Sequence, residues 1–530
     1  MRWPMLTLLV MAGCSQAPKT DIFREAAAES GLVFQHDPGL SGQFHLSEIM
    51  GAGGALFDYD NDGDLDVYLI QSSETGSRLF RNGLIPSGRL HFTDVTEACK
   101  CGHKGYGMGA ATADFDHDGF TDLYVTAFGA NALYRNKGDG TFADVTAQTG
   151  TADPRWSTSA AFLDYDRDGQ LDLFVLNYVD FALTNNKQCF APTGERDYCT
   201  PRVYNAVNAS LFRNLGGKFQ DVSQPAGITA ARGPGLGVTV IDANSDGWVD
   251  LYVANDSAAN ILWVNQKDGT FREQGLASGA AYSEDGIAKA GMGVSAGDYD
   301  NDGDDDLFVV NLTREGATLF RREGPMLYQD VSLSTGLRPG TYSFTGFGAG
   351  WFDYDHDGWL DIFIANGAVT LMEELRGQKY PFQQTNLLLR NERGARYVDV
   401  SAQGGAAMAL KEVSRGAAFG DIDNDGDTDI LVTNNNGPVR LLLNQVGNRG
   451  PWVSLRYNEA PGTRIGLIRN GAPALWRRMH TDSSYLSASD PRVLFGLGGG
   501  AAIDHVEVQV PGSPPRRFPA PKLNAETTLR

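Results

Sequence analysis

Seven short apolar runs recur along the chain, each rich in Val, Ile, Leu and aromatic residues: VYLI after Asp66, LYVT after Asp122, LFVLN after Asp172, LYVAN after Asp250, LFVVN after Asp306, IFIAN after Asp361 and ILVTN after Asp429. Their length and composition predict strands. A second run ending in Asn follows most of them, at 79–82, 133–136, 211–214, 262–265, 388–391 and 441–444, with LFRR at 319–322 as the exception. A Gly turn then often leads to a strand of the form F-x-D-V, beginning at Phe92, Phe142, Phe219, Tyr328 and Tyr397. The turn Asn136-Lys-Gly138-Asp139-Gly140 has the Asp-Gly chemistry of a tight hairpin. With the small, Gly-rich stretch that precedes each set, one repeat amounts to about four antiparallel strands, which is a propeller blade.

The last repeat lacks an F-x-D-V strand, whereas an unpaired counterpart, Phe23-Arg-Glu25-Ala, stands before the first. Supplying the missing strand from the amino terminus would latch first blade to last and remove open sheet edges. The expected fold class is therefore all-β: a seven-bladed β-propeller over residues 21–447, followed by a small β-rich domain over 448–530, where VSLRY and VEVQV alternate between Gly/Pro turns.

Each apolar run is preceded by one acidic loop, D-x-[DN]-x-D-G-x-x-D, seven copies in all at start-to-start spacings of 56, 50, 78, 56, 55 and 68 residues. The ligand positions 1, 3, 5 and 9 are Asp58, Asp60, Asp62 and Asp66; Asp114, Asp116, Asp118 and Asp122; Asp164, Asp166, Asp168 and Asp172; Asp242, Asn244, Asp246 and Asp250; Asp298, Asp300, Asp302 and Asp306; Asp353, Asp355, Asp357 and Asp361; and Asp421, Asp423, Asp425 and Asp429. Position 6 is always Gly, which permits the sharp positive-φ turn that brings carboxylates together. Position 7 varies between Asp64, Phe120, Gln170, Trp248, Asp304, Trp359 and Asp427, as a ligand offering only its backbone carbonyl would. Hard oxygen ligands in this number suit calcium, up to seven ions, better than magnesium or zinc. An EF-hand would need flanking helices and a Glu at position 12, and neither is present. Acid-rich turns without metal are the plainer alternative, but 27 Asp among 28 ligand slots would repel one another without a cation. The loop with Asn244 is expected to be among the weakest, and His117 and His356, at non-ligand position 4, are expected to face solvent.

Composition then becomes easier to read. Asp and Glu number 65 against 44 Lys and Arg, for a formal charge of −21. The 27 loop carboxylates exceed that net charge, so the rest of the chain is net positive. The acidity is a count of loops. No basic run of useful length is present, which excludes a role built on phosphate-backbone contacts with nucleic acid.

The amino terminus, MRWPMLTLLVMAGC, has one early Arg, an apolar run too short to span a bilayer, and Cys14 after two small residues. It resembles a bacterial lipoprotein signal over 1–13, with Cys14 lipidated and 14–20 a tether. The expected location is the bacterial envelope, at the outer membrane or cell surface. Four further cysteines in an exported chain suggest disulfides. Cys189 and Cys199 bracket a loop whose closure would remove roughly 2–3 kcal/mol of unfolded-state freedom. For Cys99 and Cys101 a ring across one residue is strained, and His103 only partly supplies a zinc pattern, so their pairing stays open.

The Gly-rich lead-in, the acidic loop and LYRN together resemble the FG-GAP or VCBS repeats of integrin-α-like propellers, with Gly346-Phe347-Gly348-Ala349-Gly350 nearest to the name-giving pattern. The tail, with Ser483-Ser484-Tyr485-Leu486-Ser487, Asp490, Phe495-Gly496-Leu497-Gly498 and Val506 to Gly512, resembles the ASPIC/UnbV domain that follows such propellers. The Cys189–Cys199 insertion is similar to a segment of the same relatives. At Gly462-Thr-Arg464-Ile465-Gly466 the chain departs from a longer, Arg-Asp-Gly-containing stretch in that family. The resemblance implies calcium binding, an extracellular or cell-surface place and a role in adhesion or matrix contact. The expected partner is an unknown protein or glycan, with membrane contact through the lipid alone, no nucleic acid and a monomeric state.

Two classes of function remain at this stage: a non-catalytic calcium-stabilised scaffold, or a calcium-dependent polysaccharide lyase or hydrolase with its site in the propeller channel. No nucleophile elbow or metalloprotease helix motif is present. His36 and His45, close to Glu48, form the one acid/His cluster expected near a channel mouth.

Overall fold

The computed structural model describes residues 20–372, 381–457, 461–500 and 502–530. The expected signal peptide, Cys14 and all of the tether but Thr20 lie outside them.

Among the described residues the first seven repeats of the chain form seven four-stranded antiparallel sheets. Their innermost strands are Gly54–Phe57, Gly107–Ala113, Ser157–Leu163, Gly235–Ile241, Val294–Gly297, Gly346–Phe352 and Ser414–Gly420. Each innermost strand neighbours the next in the sequence, and the seventh neighbours the first. An apolar cluster fills every gap between adjacent blades; the one between blades seven and one joins Leu56, Val67 and Phe80 to Leu431 and Leu441. The outermost strand of blade seven is Phe23–Glu25, paired antiparallel to Arg440–Asn444 in the register Phe23 with Asn444 and Glu25 with Leu442. The second strand of each blade is buried at every position, because neighbouring blades cover both of its faces, which is why those strands read as nearly continuous apolar runs.

The Asn that ends each third strand joins the blades. The amide of Asn136 donates to Tyr59 O (2.7 Å), Asn214 to Phe115 O (3.0 Å), Asn265 to Tyr165 O (2.7 Å), Asn391 to Tyr299 O (2.8 Å), Asn444 to Tyr354 O (2.8 Å) and Asn82 to Ile422 O (3.1 Å). Every acceptor is position 2 of the preceding blade's acidic loop. Blade five has Arg322 instead, whose longer side chain reaches Asp242 O (3.3 Å) and Ser245 Oγ (2.6 Å), so the LFRR exception keeps the function by another route. We expect Asn214→Ala, which strands the carbonyls of both Phe115 and Leu171, to lower unfolding free energy by about 1–3 kcal/mol in a urea titration.

The carboxy-terminal residues form two further sheets. Trp452–Tyr457 pairs with Val493–Gly496 and, in parallel, with Glu526–Leu529, while Arg464–Arg469, Leu475–Arg478, Ile503–Gln509 and Arg516–Pro519 make a four-stranded sheet. Their apolar faces enclose a separate core around Leu455, Leu467, Phe495 and Val506. Cys189 is bonded to Cys199 inside the insertion of blade three. Cys99 and Cys101 are bonded to each other, and both are buried, so the strained ring does form and no thiolate is left for zinc.

Candidate metal centres and the axial channel

All seven acidic loops share bonds from the position-6 N–H to position 1, the position-7 N–H to position 5 and the position-2 N–H to position 9, which the sequence dictates through Gly at position 6 and Asp at 1, 5 and 9. The position-5 N–H goes to position 1 in the other loops but to Asp166 and Asp300 at position 3 in blades three and five. The position-6 glycines have φ between 80° and 98°. In blade one, Asp58 accepts the N–H groups of Asp62 and Gly63 (both 3.1 Å), and Asp62 accepts that of Asp64 (3.2 Å). Asp66 accepts those of Tyr59 (3.0 Å) and Asn82 (2.8 Å). The same bonds recur in blade two around Asp114, Asp118 and Asp122.

These bonds orient the carboxylates without satisfying them. One oxygen each of Asp60, Asp116, Asp355 and Asp423, all at position 3, and of Asp164 and Asp298 at position 1, is buried with no hydrogen-bond partner. Carboxylate oxygens lie within 4.8 Å of one another in Asp58, Asp60 and Asp62; Asp114, Asp116 and Asp122; Asp164, Asp166 and Asp172; Asp298, Asp300 and Asp302; and Asp353, Asp355 and Asp357. Burial, aided by neighbouring carboxylates, pushes Asp122, Asp172 and Asp250 up to about 8 and holds Asp66, Asp306, Asp361 and Asp429 well above the ordinary range. Convergent, desolvated and unpartnered anionic oxygens fit a bound cation, since a buried polar atom left unpaired costs about 1–3 kcal/mol.

Position 7 behaves less uniformly than its variability implies. Phe120, Gln170, Trp248 and Trp359 contribute only backbone: each N–H meets the position-5 carboxylate at 2.8–3.1 Å. The Trp248 ring instead lies 3.8 Å under the Arg167 guanidinium. Asp64 and Asp427 are buried carboxylates, each with one oxygen accepting a backbone N–H, of Ile85 (2.7 Å) and Asn448 (3.2 Å), and one left unpartnered. Asp304 ion-pairs with Arg322 at 3.4 Å. In blade four, Asn244 turns its amide to Asp246 Oδ2 (2.8 Å), so one donor replaces one acceptor in that loop.

Several participants carry no signal in the motif. The arginines of the third strands, Arg81 and Arg213, pair with the outer oxygens of positions 3 and 5: Asp60 (2.7 Å) and Asp62 (2.9 Å), and Asp166 (2.6 Å) and Asp168 (3.1 Å); Arg135 does the same with Asp116 and Asp118. Loops five to seven are covered by the carboxy-terminal domain. Arg464 donates to Gly303 O (2.5 Å), Arg477 to Gly358 O (3.2 Å) and Arg492 to Asp421 O (2.9 Å). An added Cβ at Gly119 of blade two would meet nothing within 4 Å, so that loop stays open, whereas Gly512 of the carboxy-terminal domain packs against Arg167 in the loop of blade three.

His117 is exposed, but its Nε2–H donates to Gly169 O at 2.8 Å. His356 does not face solvent: it is 1% exposed beneath Gly450 and Gly496 of the carboxy-terminal domain, and burial lowers it to about 4. The motif places it at an outer loop position; only the docked domain covers it.

The channel is not open. Residues 481–490 of the carboxy-terminal domain run into the propeller axis and bond to all seven innermost strands. Ala488 N–H donates to Gly54 O (2.9 Å), Leu486 O accepts Ala110 N–H (3.1 Å), and Leu486 N–H donates to Ser159 Oγ (3.1 Å). Ser483 N–H meets Val238 O (3.2 Å), Ser484 pairs with Val294 in both directions (2.6 and 3.1 Å), and Ser484 Oγ accepts Ala349 N–H (3.1 Å) while donating to Ala417 O (2.8 Å). Ser483, Ser484 and Leu486 take left-handed φ of 85°, 61° and 55°, unfavourable by roughly 1–2 kcal/mol each for residues with a Cβ, which the surrounding bonds over-determine. Close approach explains glycines in and beside these strands: an added Cβ would lie 1.7 Å from Leu486 O at Gly53 and 2.9 Å from it at Gly109, while at Gly237 and Gly348 it would meet the backbone of the neighbouring blade at 2.4 Å.

The far mouth is capped by residues 36–50, by the segment of blade three that holds Phe181 and Tyr198, and by Ala368, Leu371 and Phe382 of blade six. Tyr485 donates to Met50 O (2.8 Å) and stacks edge-on against Phe347 (4.8 Å). Buried Arg415 lies over Phe347 (4.0 Å) and donates to Ile49 O, Gly367 O and Ala368 O. Within the cap, Glu48 accepts from Ser41 and Tyr198 and pairs with His45 (3.3 Å). His36 is held neutral by burial, at about 3, with Nδ1 accepting Asn436 N–H (3.2 Å) and Nε2 bonded to Ser72 Oγ (3.1 Å). The acid/His cluster thus fastens the cap, and the channel that a lyase or hydrolase site would occupy is filled by the chain's own Ser484, Tyr485 and Leu486.

Comparison with known proteins agrees with these features. A family model for the FG-GAP-like repeat matches residues 58–125, 114–175, 242–309 and 298–364, and one described as ASPIC and UnbV matches residues 456–530. The first covers the loops from Asp58 to Asp353; the Asp421 loop is identified by its geometry. The chain is 26% identical over 310 residues to Cartilage acidic protein 1 of Homo sapiens, across 55% of this chain and 43% of that protein. The Mus musculus counterpart matches at 26% over 313 residues, 55% and 44% respectively. The chain thus spans less than half the length of these curated relatives. Among solved structures, that of YCF48 bound to D1 peptide is similar over 83% of this chain and all of that one, with 8% identity and a TM-score of 0.43.

Proposed function

Because the chain is an FG-GAP-repeat propeller with a carboxy-terminal ASPIC and UnbV domain, we propose that it is an exported, calcium-stabilised binding scaffold, fixed to the bacterial envelope through a lipid on Cys14 and without catalytic chemistry of its own. The observation that carries this reading is the axis: residues 481–490 fill the space in which a propeller enzyme would hold its substrate. The unpartnered carboxylate oxygens of the loops support the metal. All-oxygen ligand sets of this size suit calcium, which takes 6–8 hard oxygens, and Asp58, Asp60, Asp62 and Asp66 with the position-7 carbonyl and water would hold it in blade one, with the matching residues in the other six. Bound there, the ion neutralises the loop carboxylates and ties the turn between the two inner strands of each blade.

A protein or glycan ligand would then meet the outer surface of the ring, on the side where loop two is left free by the carboxy-terminal domain. The test is a glycan and protein array probed with the full chain with and without calcium, beside a panel of polysaccharide lyase and hydrolase assays. Calcium-dependent capture with no turnover is expected; sustained turnover of any polysaccharide overturns the scaffold reading.

A further inference from the structure

The acidic loops are not seven separate turns. In every copy, position 4 takes a left-handed conformation: φ is 56° at Asn61, 57° at His117, 60° at Arg167, 56° at Ser245, 57° at Asn301, 55° at His356 and 54° at Asn424. That bend carries the side chain out of its own loop. In five copies it reaches the position-6 carbonyl of the next blade's loop: Asn61 donates to Gly119 O (2.8 Å), His117 to Gly169 O (2.8 Å), Arg167 to Gly247 O, Asn301 to Gly358 O (3.1 Å) and Asn424 to Gly63 O (3.1 Å). Three different residue types make the same bond.

The accepting carbonyl belongs to the peptide between positions 6 and 7. The N–H of that same peptide donates to the position-5 carboxylate, as from Phe120 to Asp118 (3.1 Å), Gln170 to Asp168 (2.9 Å), Trp248 to Asp246 (2.8 Å), Trp359 to Asp357 (2.9 Å) and Asp64 to Asp62 (3.2 Å). One rigid peptide plane therefore ties position 4 of one loop to a ligand carboxylate of the next. Two links are missing. Ser245 is too short and accepts from Arg322 (2.6 Å), while Gly303 O is taken by Arg464. His356 is buried with both ring nitrogens unpartnered, and Trp452 packs against Gly426.

From this geometry we infer that cation binding is positively coupled between adjacent loops, in one block running from blade seven through one, two and three to four, and in a separate pair, five and six. The inference rests on the reading that the loops hold calcium. An ion that fixes the position-5 carboxylate of one loop fixes the linking peptide, and so holds position 4 of the preceding loop in the conformation its own ligands need. The next ion meets a loop already ordered, and the two affinities rise together by linkage. Residues such as Asn61 and His117 are positioning residues, acting on the metal through the neighbour's backbone.

The experiment is equilibrium dialysis of the full chain against radiolabelled calcium, with wild type beside Asn61→Gly and His117→Gly. Glycine keeps the left-handed backbone without strain and removes only the donor. Thermal melts in saturating calcium verify that each variant is folded. Wild type is expected to bind with a Hill slope above one, and each glycine variant to move the slope toward one with roughly 5-fold or more weaker binding at the block. Asn61→His, which places at blade one the donor that blade two already uses, is expected to restore the slope. A wild-type slope of one or below, or glycine variants with the wild-type slope, overturns the coupling while leaving calcium binding in place. If no calcium is retained at all, the reading on which the coupling rests falls with it.

Discussion

Removing calcium with EDTA is expected to lower the melting temperature of this protein, and to lower it more at pH 8 than at pH 5. An ion bound to the folded chain alone stabilises it by about 1.4 kcal/mol per site at tenfold excess over its dissociation constant, so several filled loops contribute roughly 5–10 kcal/mol. With an unfolding entropy of about 2 cal/mol/K per residue, a chain this long loses ~1 °C per kcal/mol, and the expected fall is roughly 5–10 °C. The pH dependence follows from Asp122, Asp172 and Asp250, which burial raises to about 8 in the metal-free loops from an ordinary 3.8. A carboxyl with a raised folded-state value favours the fold below its unfolded value, and that contribution is lost as the pH climbs through the folded one. Metal-free protein therefore weakens between about pH 4 and pH 8, while calcium replaces the proton and flattens the trend. Differential scanning calorimetry with and without EDTA at both pH values, with elemental analysis for calcium, checks this. Equal melts in all four conditions and no calcium would refute it.

The second large effect concerns the axis. Tyr485→Ala removes a fully buried ring packed on Phe347 and strands Met50 O, and is expected to cost about 3–5 kcal/mol in guanidinium unfolding. Tyr485→Phe keeps the ring and loses only the hydroxyl, for about 1 kcal/mol. Gly53→Ala acts from the other side: its Cβ would meet the Leu486 carbonyl at 1.7 Å, a backbone atom that cannot step aside, so the segment must leave the axis. We expect Gly53→Ala to expose the segment to limited proteolysis between Thr481 and Asp490, a region the wild type protects. Cleavage at equal rates in both proteins would show that the axial segment is not held by the innermost strands.

The blades and loops were legible in the sequence because both are local. An acidic nonapeptide with Gly at position 6 closes on itself, and a run such as LFVVN at 307–311 has no other way to bury both faces. The outer strand Phe23–Glu25 could be read from the gap it fills, since a missing F-x-D-V at one end and a spare one at the other need no coordinates. His356 was misplaced for the opposite reason. Its loop is identical in pattern to that of His117, and what separates them is a domain that covers blade six and leaves blade two bare.

Sequence alone determined the composition of the molecule: an all-β chain of repeated blades, seven acidic loops that absorb its net charge, and a distinct β-rich tail. These follow from periodicity, turn chemistry and charge counting, which depend on residues within about ten positions of one another. Tertiary structure alone decided that Ser483 to Leu486 fill the axis, that Arg464, Arg477 and Arg492 sit on loops five to seven, and that position 4 of one loop holds position 6 of the next. Those contacts join residues far apart in the chain, such as 71 positions for Arg492 and Asp421 and 435 for Tyr485 and Met50, or use left-handed backbone at Ser484, a residue whose side chain does not favour it. They exist because seven blades meet at one axis, and the space left there has a shape that only the assembled ring defines.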